Sequence, residues 1–402
     1  MKFTHMADCH IGCWRDPKLK DISLLAFLKA CDMSVEKEVD FILISGDLFN
    51  TSLPAIDSLK SVVKKLKELK KKDIPVYIIA GSHDFSPSGK TMIDVLEEAE
   101  LVINVLKGKV NEHDKLELAF TVDKKTGAKI TGMLGKRGML ERKFYENLEL
   151  ENLEKEKGFK IFMFHSAISE LKPKELDKID SSPISYLPKG FDYYAGGHVH
   201  IVSQKSLDDY KHVVYPGPIF PANFQELESL ERGGFYLYDN GKLEYQPVQI
   251  KNAISISIDA AHKSPEEVME AIREEVGNKE YVNTIVLIRL AGMLKNGRPA
   301  DINLHEISRI LYERGAYVVM VNRSKLESEE FEEIKISQNT AEDIEEALIK
   351  EHLGQVKVDF AEQEEQITRQ LIKVLSSEKS EGESLTEYNS KIKNMVKEVL
   401  RV

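Results

Sequence analysis

Five times within its first two hundred residues, this chain runs a short apolar segment into histidine or aspartate. Residues 2–7 lead to Asp8-Cys9-His10, 41–45 to Gly46-Asp47, and 76–79, followed by Ala80, to Gly81-Ser82-His83-Asp84. Residues 161–164 then lead to His165, and 193–195, after two glycines, to His198-Val199-His200. A brief apolar run stopped by a loop reads as a buried strand. The segments between the first three, 22–39 and 54–72, read as helices, the second with Ile56, Leu59, Val62, Val63, Leu66 and Leu69 on one face. Strand, crossover helix and parallel strand predict an α/β sheet with right-handed connections. In such a sheet, functional groups collect beyond the carboxyl ends of the strands, so all five clusters are expected along one edge.

The spacing of the clusters has chemical content. In Asp8-x-His10 and His198-x-His200, residues i and i+2 of an extended chain point the same way, and both can grip one ion. Asp47 follows Gly46, whose missing side chain allows close approach. A mixed set of imidazoles and carboxylates suits Mn²⁺, Fe²⁺ or Zn²⁺ better than Ca²⁺, which prefers oxygen alone. There are enough donors for two ions at the spacing of about 3.5–4 Å found in two-metal hydrolases. A closed structural site would instead use four ligands, usually rich in cysteine. His83 suits a proton donor to a leaving group, with Asp84 expected to orient its ring.

Composition bounds the setting. At 402 residues, 42% hydrophobic and 31% charged, the chain has the make-up of a soluble globular protein. No signal-peptide pattern opens it and no apolar run is long enough for a membrane span, so no membrane association is expected. Cys9, Cys13 and Cys31 make no disulfide framework, and a reducing cytoplasm is the expected location. The net charge of −11 argues against a nucleic-acid coat over the whole surface. That charge is uneven, with 18 acidic against 10 basic residues from Glu329 onward and 49 against 46 before it.

Further strands are expected near 130–134, 235–238 and 243–246, the last two joined by an Asn240-Gly241 hairpin turn. The character shifts after Lys251: strands at 254–258, 284–289 and 317–321 alternate with helices at 265–276 and 304–313. The reading is a core over 1–250, a small α/β domain over 251–327 and an acidic helical tail over 328–402. In the tail, Val356, Val358, Phe360, Ile367, Leu371, Val374 and Leu375 form apolar stripes, as do Tyr388, Ile392, Met395 and Val399. Such stripes favour a partner-binding module over a flexible extension. The lysines of 64–72 lie opposite the apolar stripe of their helix and read as a solvated face. Ser88–Thr91 lacks the glycine of a phosphate loop, since that position is Asp84. His5 reads as a core or surface histidine and Cys9 as packing. Trp14 beside Arg15 could stack a base and hold a phosphate, or simply anchor its loop.

The five blocks, in this order, resemble the calcineurin-like metallophosphoesterases, whose pattern runs D-x-H, G-D, G-N-H-[D/E], H and G-H-x-H. "FTHMADCHIG", "GDLFN" and "YPGPIF" narrow the resemblance to the meiotic-recombination-eleven / SbcD family of DNA double-strand-break repair nucleases, archaeal type. The resemblance implies a sandwich of two mixed sheets flanked by helices, with a DNA-binding cap and a helical tail. It implies one metal on Asp8, His10, Asp47 and His200, a second on Asp47, Ser82, His165 and His198, and His83 as the catalytic histidine. It further implies Mn²⁺-dependent cleavage of DNA ends, a homodimer formed through core helices, and a coiled-coil SMC-like ATPase docking on the tail. Two positions depart from the pattern: Ser82 stands where the usual ligand is asparagine, and Asn50 where many members have histidine. Asn50 could still contact a phosphate oxygen. A nucleotide or small-molecule phosphodiesterase, and a DNA-end scaffold with weak catalysis, are the alternatives that the residues leave open.

Overall fold

The computed structural model describes residues 1–86, 88–136, 142–172, 180–277, 279–328, 349, 363–377 and 385–400. The chain packs into two compact units, Met1–Ala253 and Ile254–Val402.

In the first unit, β1 (Lys2–Met6), β2 (Phe41–Ser45), β3 (Val76–Ile79) and β4 (Ile103–Asn104) run parallel, separated by α1 (Ile22–Glu36), α2 (Ile56–Lys71) and α3 (Met92–Glu98). A hairpin of β5 (Gly108–Val110) and β6 (Leu116–Leu118) precedes β7 (Thr121–Val122) and β8 (Lys129–Gly132). Helices α4 (Arg142–Glu146) and α5 (Glu151–Glu154) lead to β9 (Lys160–His165), β10 (Tyr193–Gly197), β11 (Ser203–Leu207) and β12 (Tyr210–Tyr215). After α6 (Phe224–Leu230), the hairpin of β13 (Gly233–Asp239) and β14 (Lys242–Val248) returns to pair antiparallel with β1. Its turn has φ of 48° at Asn240 and 96° at Gly241, the two left-handed residues that a tight hairpin needs.

Two six-stranded mixed sheets result, ordered β14-β13-β1-β2-β3-β4 and β11-β12-β10-β9-β8-β7. Strand periodicity sorts the side chains. Ile161, Met163, Tyr193 and Ala195 turn into the sandwich against Phe3, Phe41, Leu43, Tyr77 and Tyr238. Phe162, Phe164 and Tyr194, one residue out of step, pack on the outer face of the second sheet with Tyr215 and Leu187. His5 is wholly buried between the Tyr193 hydroxyl and Ser45 Oγ, each 3.0 Å away, and burial lowers its pKa to about 3. It is a core histidine.

The sheet-forming runs lie where their apolar pattern puts them, and β2 and β3 match residue for residue. Helix α1 ends three residues short of its expected span, and α2 starts two residues late and ends one early. On α2, Val62, Leu66 and Leu69 are buried, while Lys64, Lys67, Lys70 and Lys71 face solvent. Thr91 caps α3 in a reciprocal pair with Asp94, so the Ser88–Thr91 stretch is a helix entry. The edge strands β4, β7 and β11 had no legible pattern, being two residues long or largely polar.

In the second unit, β15 (Asn252–Asp259), β16 (Thr284–Leu294) and β17 (Val318–Ser328) form a sheet in that order, with β16 and β17 parallel. Helices α7 (Pro265–Val276) and α8 (Leu304–Glu313) match their expected spans and close a core of Ile258, Val268, Ile272, Val286, Ile288, Ile307 and Leu311. β16 and β17 run on well past the apolar runs that announced them, because their ladder resumes after a register shift near Arg289. Two later helices, Glu364–Leu375 and Leu385–Leu400, pack on each other. Val374 is buried there and Tyr388 donates to the Ser377 carbonyl. Val356, Val358 and Phe360 lie outside the described residues.

Candidate metal centre

Asp8 follows β1, Asp47 follows β2, Ser82-His83-Asp84 follows β3, His165 ends β9, and His198 and His200 follow β10. The two sheets present these ends together. Asp8, His10 and His200 each bring a donor atom within 4.8 Å of the others, as do His10, Asp47 and His83, and Asp8, Asp47 and His165. Asp47 is the hub. Its Oδ2 lies 3.1 Å from His165 Nε2, 3.7 Å from His10 Nε2 and 3.3 Å from Ser82 Oγ, which donates to it. Asp8 Oδ1 lies 3.7 Å from His200 Nε2, and both Asp8 oxygens accept the His198 backbone N–H. The His198 ring stands beside His165, centroids 5.2 Å apart, outside the three tightest groups.

Close packing depends on missing side chains. A Cβ on Gly46 or Gly197 would run into the His165 ring, and one on Gly81 into Asp47. The loops are also strained: Asp8, His10, Asp47 and His198 have φ of 49°, 40°, 52° and 88°. Such conformations in residues other than glycine cluster at functional sites.

Three ring orientations are set from behind. His165 Nδ1 lies 2.8 Å from the Ser45 carbonyl, His83 Nδ1 2.9 Å from the Asn50 carbonyl, and His200 Nδ1 2.9 Å from Glu226 Oε1. In the neutral ring, the form that binds a metal, an acceptor at Nδ1 fixes the proton there and leaves the Nε2 lone pair free. His10 Nε2 and His200 Nε2 face each other at 3.0 Å. Buried His165 Nε2, pointed at a carboxylate, has no hydrogen-bond partner among the described residues.

Electrostatics agree with a site built for a cation. Burial raises the Asp8 pKa above the usual carboxylate range. Asp47 is held below that range against its burial, chiefly by the charge of His165. Burial takes His10 down to about 3 and His198 to about 4. His165 and His200 resist the same desolvation, and Asp47 and Glu226 bring them to about 10 and about 9. In the metal-free site the protons on His165 and His200 offset the buried carboxylates, a charge that a bound divalent cation would replace. The donor set fits divalent metal.

Two expectations need correction. Asp84 does not orient His83. Its buried carboxylate accepts the backbone N–H groups of Asp47, Gly81 and Phe49 at 2.9, 2.9 and 3.3 Å, and the Asn50 carbonyl holds the ring instead. Burial, and then the Asp47 charge, push Asp84 up to about 7. Trp14 does not offer a face for base stacking, because it is buried with its indole N–H donating to the Pro221 carbonyl. Arg15 beside it is exposed. Asn50 serves the site through its main-chain oxygen. Sequence reasoning also passed over Glu226, on α6, whose only signal was its capping distance from Asn223.

The model of the family described as calcineurin-like phosphoesterase matches residues 1–202. The "DNA double-strand break repair protein Mre11" of Archaeoglobus fulgidus is 26% identical over 85% of this chain and 77% of its own. That of Methanopyrus kandleri is 26% identical over 83% and 73%, and that of Methanocaldococcus jannaschii 32% identical over 60% and 62%. With half its length matched by the family model, and the strand-end histidines and aspartates of that half gathered at one edge, this chain belongs to the calcineurin-like phosphoesterases.

Proposed function

We propose that the protein is a metal-dependent nuclease that hydrolyses phosphodiester bonds at DNA double-strand breaks. The observation that carries the reading is the convergence of His10, His165 and Ser82 on one oxygen of Asp47, with Asp8 and His200 alongside. A carboxylate so placed can be shared by two ions. Asp8, His10, Asp47 and His200 would hold one, and Asp47, Ser82, His165 and His198 the other, with Mn²⁺ the preferred metal. The relatives, named as DNA double-strand break repair proteins, suggest the substrate, broken duplex DNA.

Such ions, when bound, bring water into reach of deprotonation at neutral pH and offset charge on the phosphate oxygens. The chain's own residues do the rest. His83, with Nδ1–H donating to the Asn50 carbonyl, turns Nε2 to the site; as an imidazolium it would give its Nε2 proton to the departing oxygen and be left neutral. Asp84 locks the Asp47 and His83 loops together by accepting their backbone amides. Residues 251–327 would serve as the DNA-binding cap, and 328–402 would receive a coiled-coil SMC-like ATPase, the acidic tail meeting a basic surface. The core helices would pair two copies, and the assembly would work in the cytoplasm.

Release of nucleotides from linear duplex DNA, measured with Mn²⁺, Mg²⁺ or chelator, tests the reading. Cleavage that requires Mn²⁺ and is lost in His83→Ala is the expected result. A chain that binds DNA but cuts none with any metal would be an end-binding scaffold. Cleavage of nitrophenyl phosphodiesters in preference to DNA would identify a small-molecule phosphodiesterase.

A further inference from the structure

We propose that Glu226 is a positioning residue of the metal centre, fixing the His200 ring with its proton on Nδ1 and its Nε2 lone pair toward the ion. This rests on the reading of the site as a divalent-metal centre. Glu226 Oε1 lies 2.9 Å from His200 Nδ1, on the side of the ring opposite Asp8 and His10. From there it cannot ligate the same ion as Nε2. It can only act through the histidine.

The carboxylate is itself held. The Ala222 backbone N–H donates to Oε2 at 2.8 Å, and Asn223 Nδ2 donates to Oε1. The Glu226 backbone N–H in turn donates to Asn223 Oδ1 at 3.0 Å, the N-cap bond of α6. Both carboxylate oxygens are thus committed as acceptors, and Oε1 can only receive a proton from the ring. Of the three Nδ1 supports in the site, two are main-chain carbonyls, on His83 and His165, which no substitution of a side chain removes. Glu226 is the charged one, and the one open to mutation. Such second-layer acceptors typically change metal affinity about 10–100-fold when removed.

The test compares Glu226→Met, which keeps the volume and lacks an acceptor, with Glu226→Gln, whose amide oxygen can still accept from Nδ1. Mn²⁺ binding to the full chain is followed by the free-ion paramagnetic resonance signal. The expected result is a Kd raised about 10–100-fold in the Met variant and substantially restored in Gln. Equal, wild-type affinity in both would overturn the proposal, as would a Gln variant as weak as Met. Absence of Mn²⁺ binding by the wild type would instead sink the metal-centre reading beneath it. Should the Met variant fail to fold, ¹⁵N spectra of the metal-free wild type in alkaline solution, where the ring is neutral, decide the matter. A proton found on Nδ1 of His200 supports the assignment, and one found on Nε2 refutes it.

Discussion

Asp47 and Asp84 are joined reciprocally through the backbone. Asp84 accepts the Asp47 N–H at 2.9 Å, while Asp47 accepts the N–H of His83, the residue before Asp84, at 2.7 Å. The loops after β2 and β3 are therefore fixed to each other before any ion arrives. In Asp84→Asn the amide NH₂ must face at least one of the backbone donors now served by the carboxylate. Each buried donor left without an acceptor costs about 1–3 kcal/mol, so the variant should unfold at lower urea by that amount. Its cleavage rate should fall with its stability. An unchanged urea midpoint would show that the clamp carries no weight.

Metal affinity should rise with pH between neutrality and about 9–10. His165 and His200, at about 10 and about 9 in the metal-free protein, hold protons at pH 7 that binding must expel. His10 and His198, at about 3 and about 4, are already neutral there and expel none. The two raised histidines also stabilise the metal-free fold, fully below the unfolded value of about 6.5 and progressively less as pH rises through about 9–10. Calorimetric titration with Mn²⁺ in buffers of different ionisation enthalpy measures the protons released. No release at pH 7 would contradict this assignment.

Gly46→Ala should damage fold and site together. Gly46 has φ of +85°, and a Cβ there meets the His165 ring. Backbone strain and overpacking contribute about 1–3 kcal/mol each. Urea denaturation should show the loss, and Mn²⁺ titration a weakened site. Full retention of both would mean that the loop has slack this geometry does not suggest.

Ser82→Asn tests whether position 82 ligates a metal. Ser82 Oγ stands 3.3 Å from Asp47 Oδ2, close enough to share an ion but shorter in reach than an amide. The longer residue should raise activity at limiting Mn²⁺ without changing it at saturation. Identical Mn²⁺ dependence in variant and wild type would count against a ligand role for position 82.

Leu53 and Ile56, before and at the start of α2, are about four-fifths exposed at 80% and 81%. Apolar side chains so placed suit the face on which two copies would pair. Ile56→Glu should convert a dimer to a monomer in sedimentation experiments. A wild type that already sediments as a monomer at micromolar concentration removes the pairing from this face.

The strand-end histidines and aspartates were legible because a sheet gathers its strand termini whatever the loops do, so Asp8, Asp47, His165 and His200 had to meet. Which atoms they turn to each other was not legible. Asp84 follows His83 in sequence, yet the unpaired amides of two loops claim its carboxylate. Trp14 lies beside Arg15, but the Pro221 carbonyl that draws it inward comes from a segment two hundred residues away. Glu226 was hidden for the same reason, since its bond to His200 joins α6 to the end of β10. The short edge strands were missed because two-residue pairings leave no periodicity to read.

The left-handed backbone at Asp8, His10, Asp47 and His198 has a consequence for how this chain could be altered in the laboratory. Glycine would relieve the backbone at each of these positions. At Asp8 and Asp47 it would also strip a backbone N–H of its acceptor, so His10 and His198 are the candidate metal donors the fold would sooner exchange. A library selected for heat resistance alone should therefore gather glycines at these two first. Its most durable members would be the ones that had lost their activity.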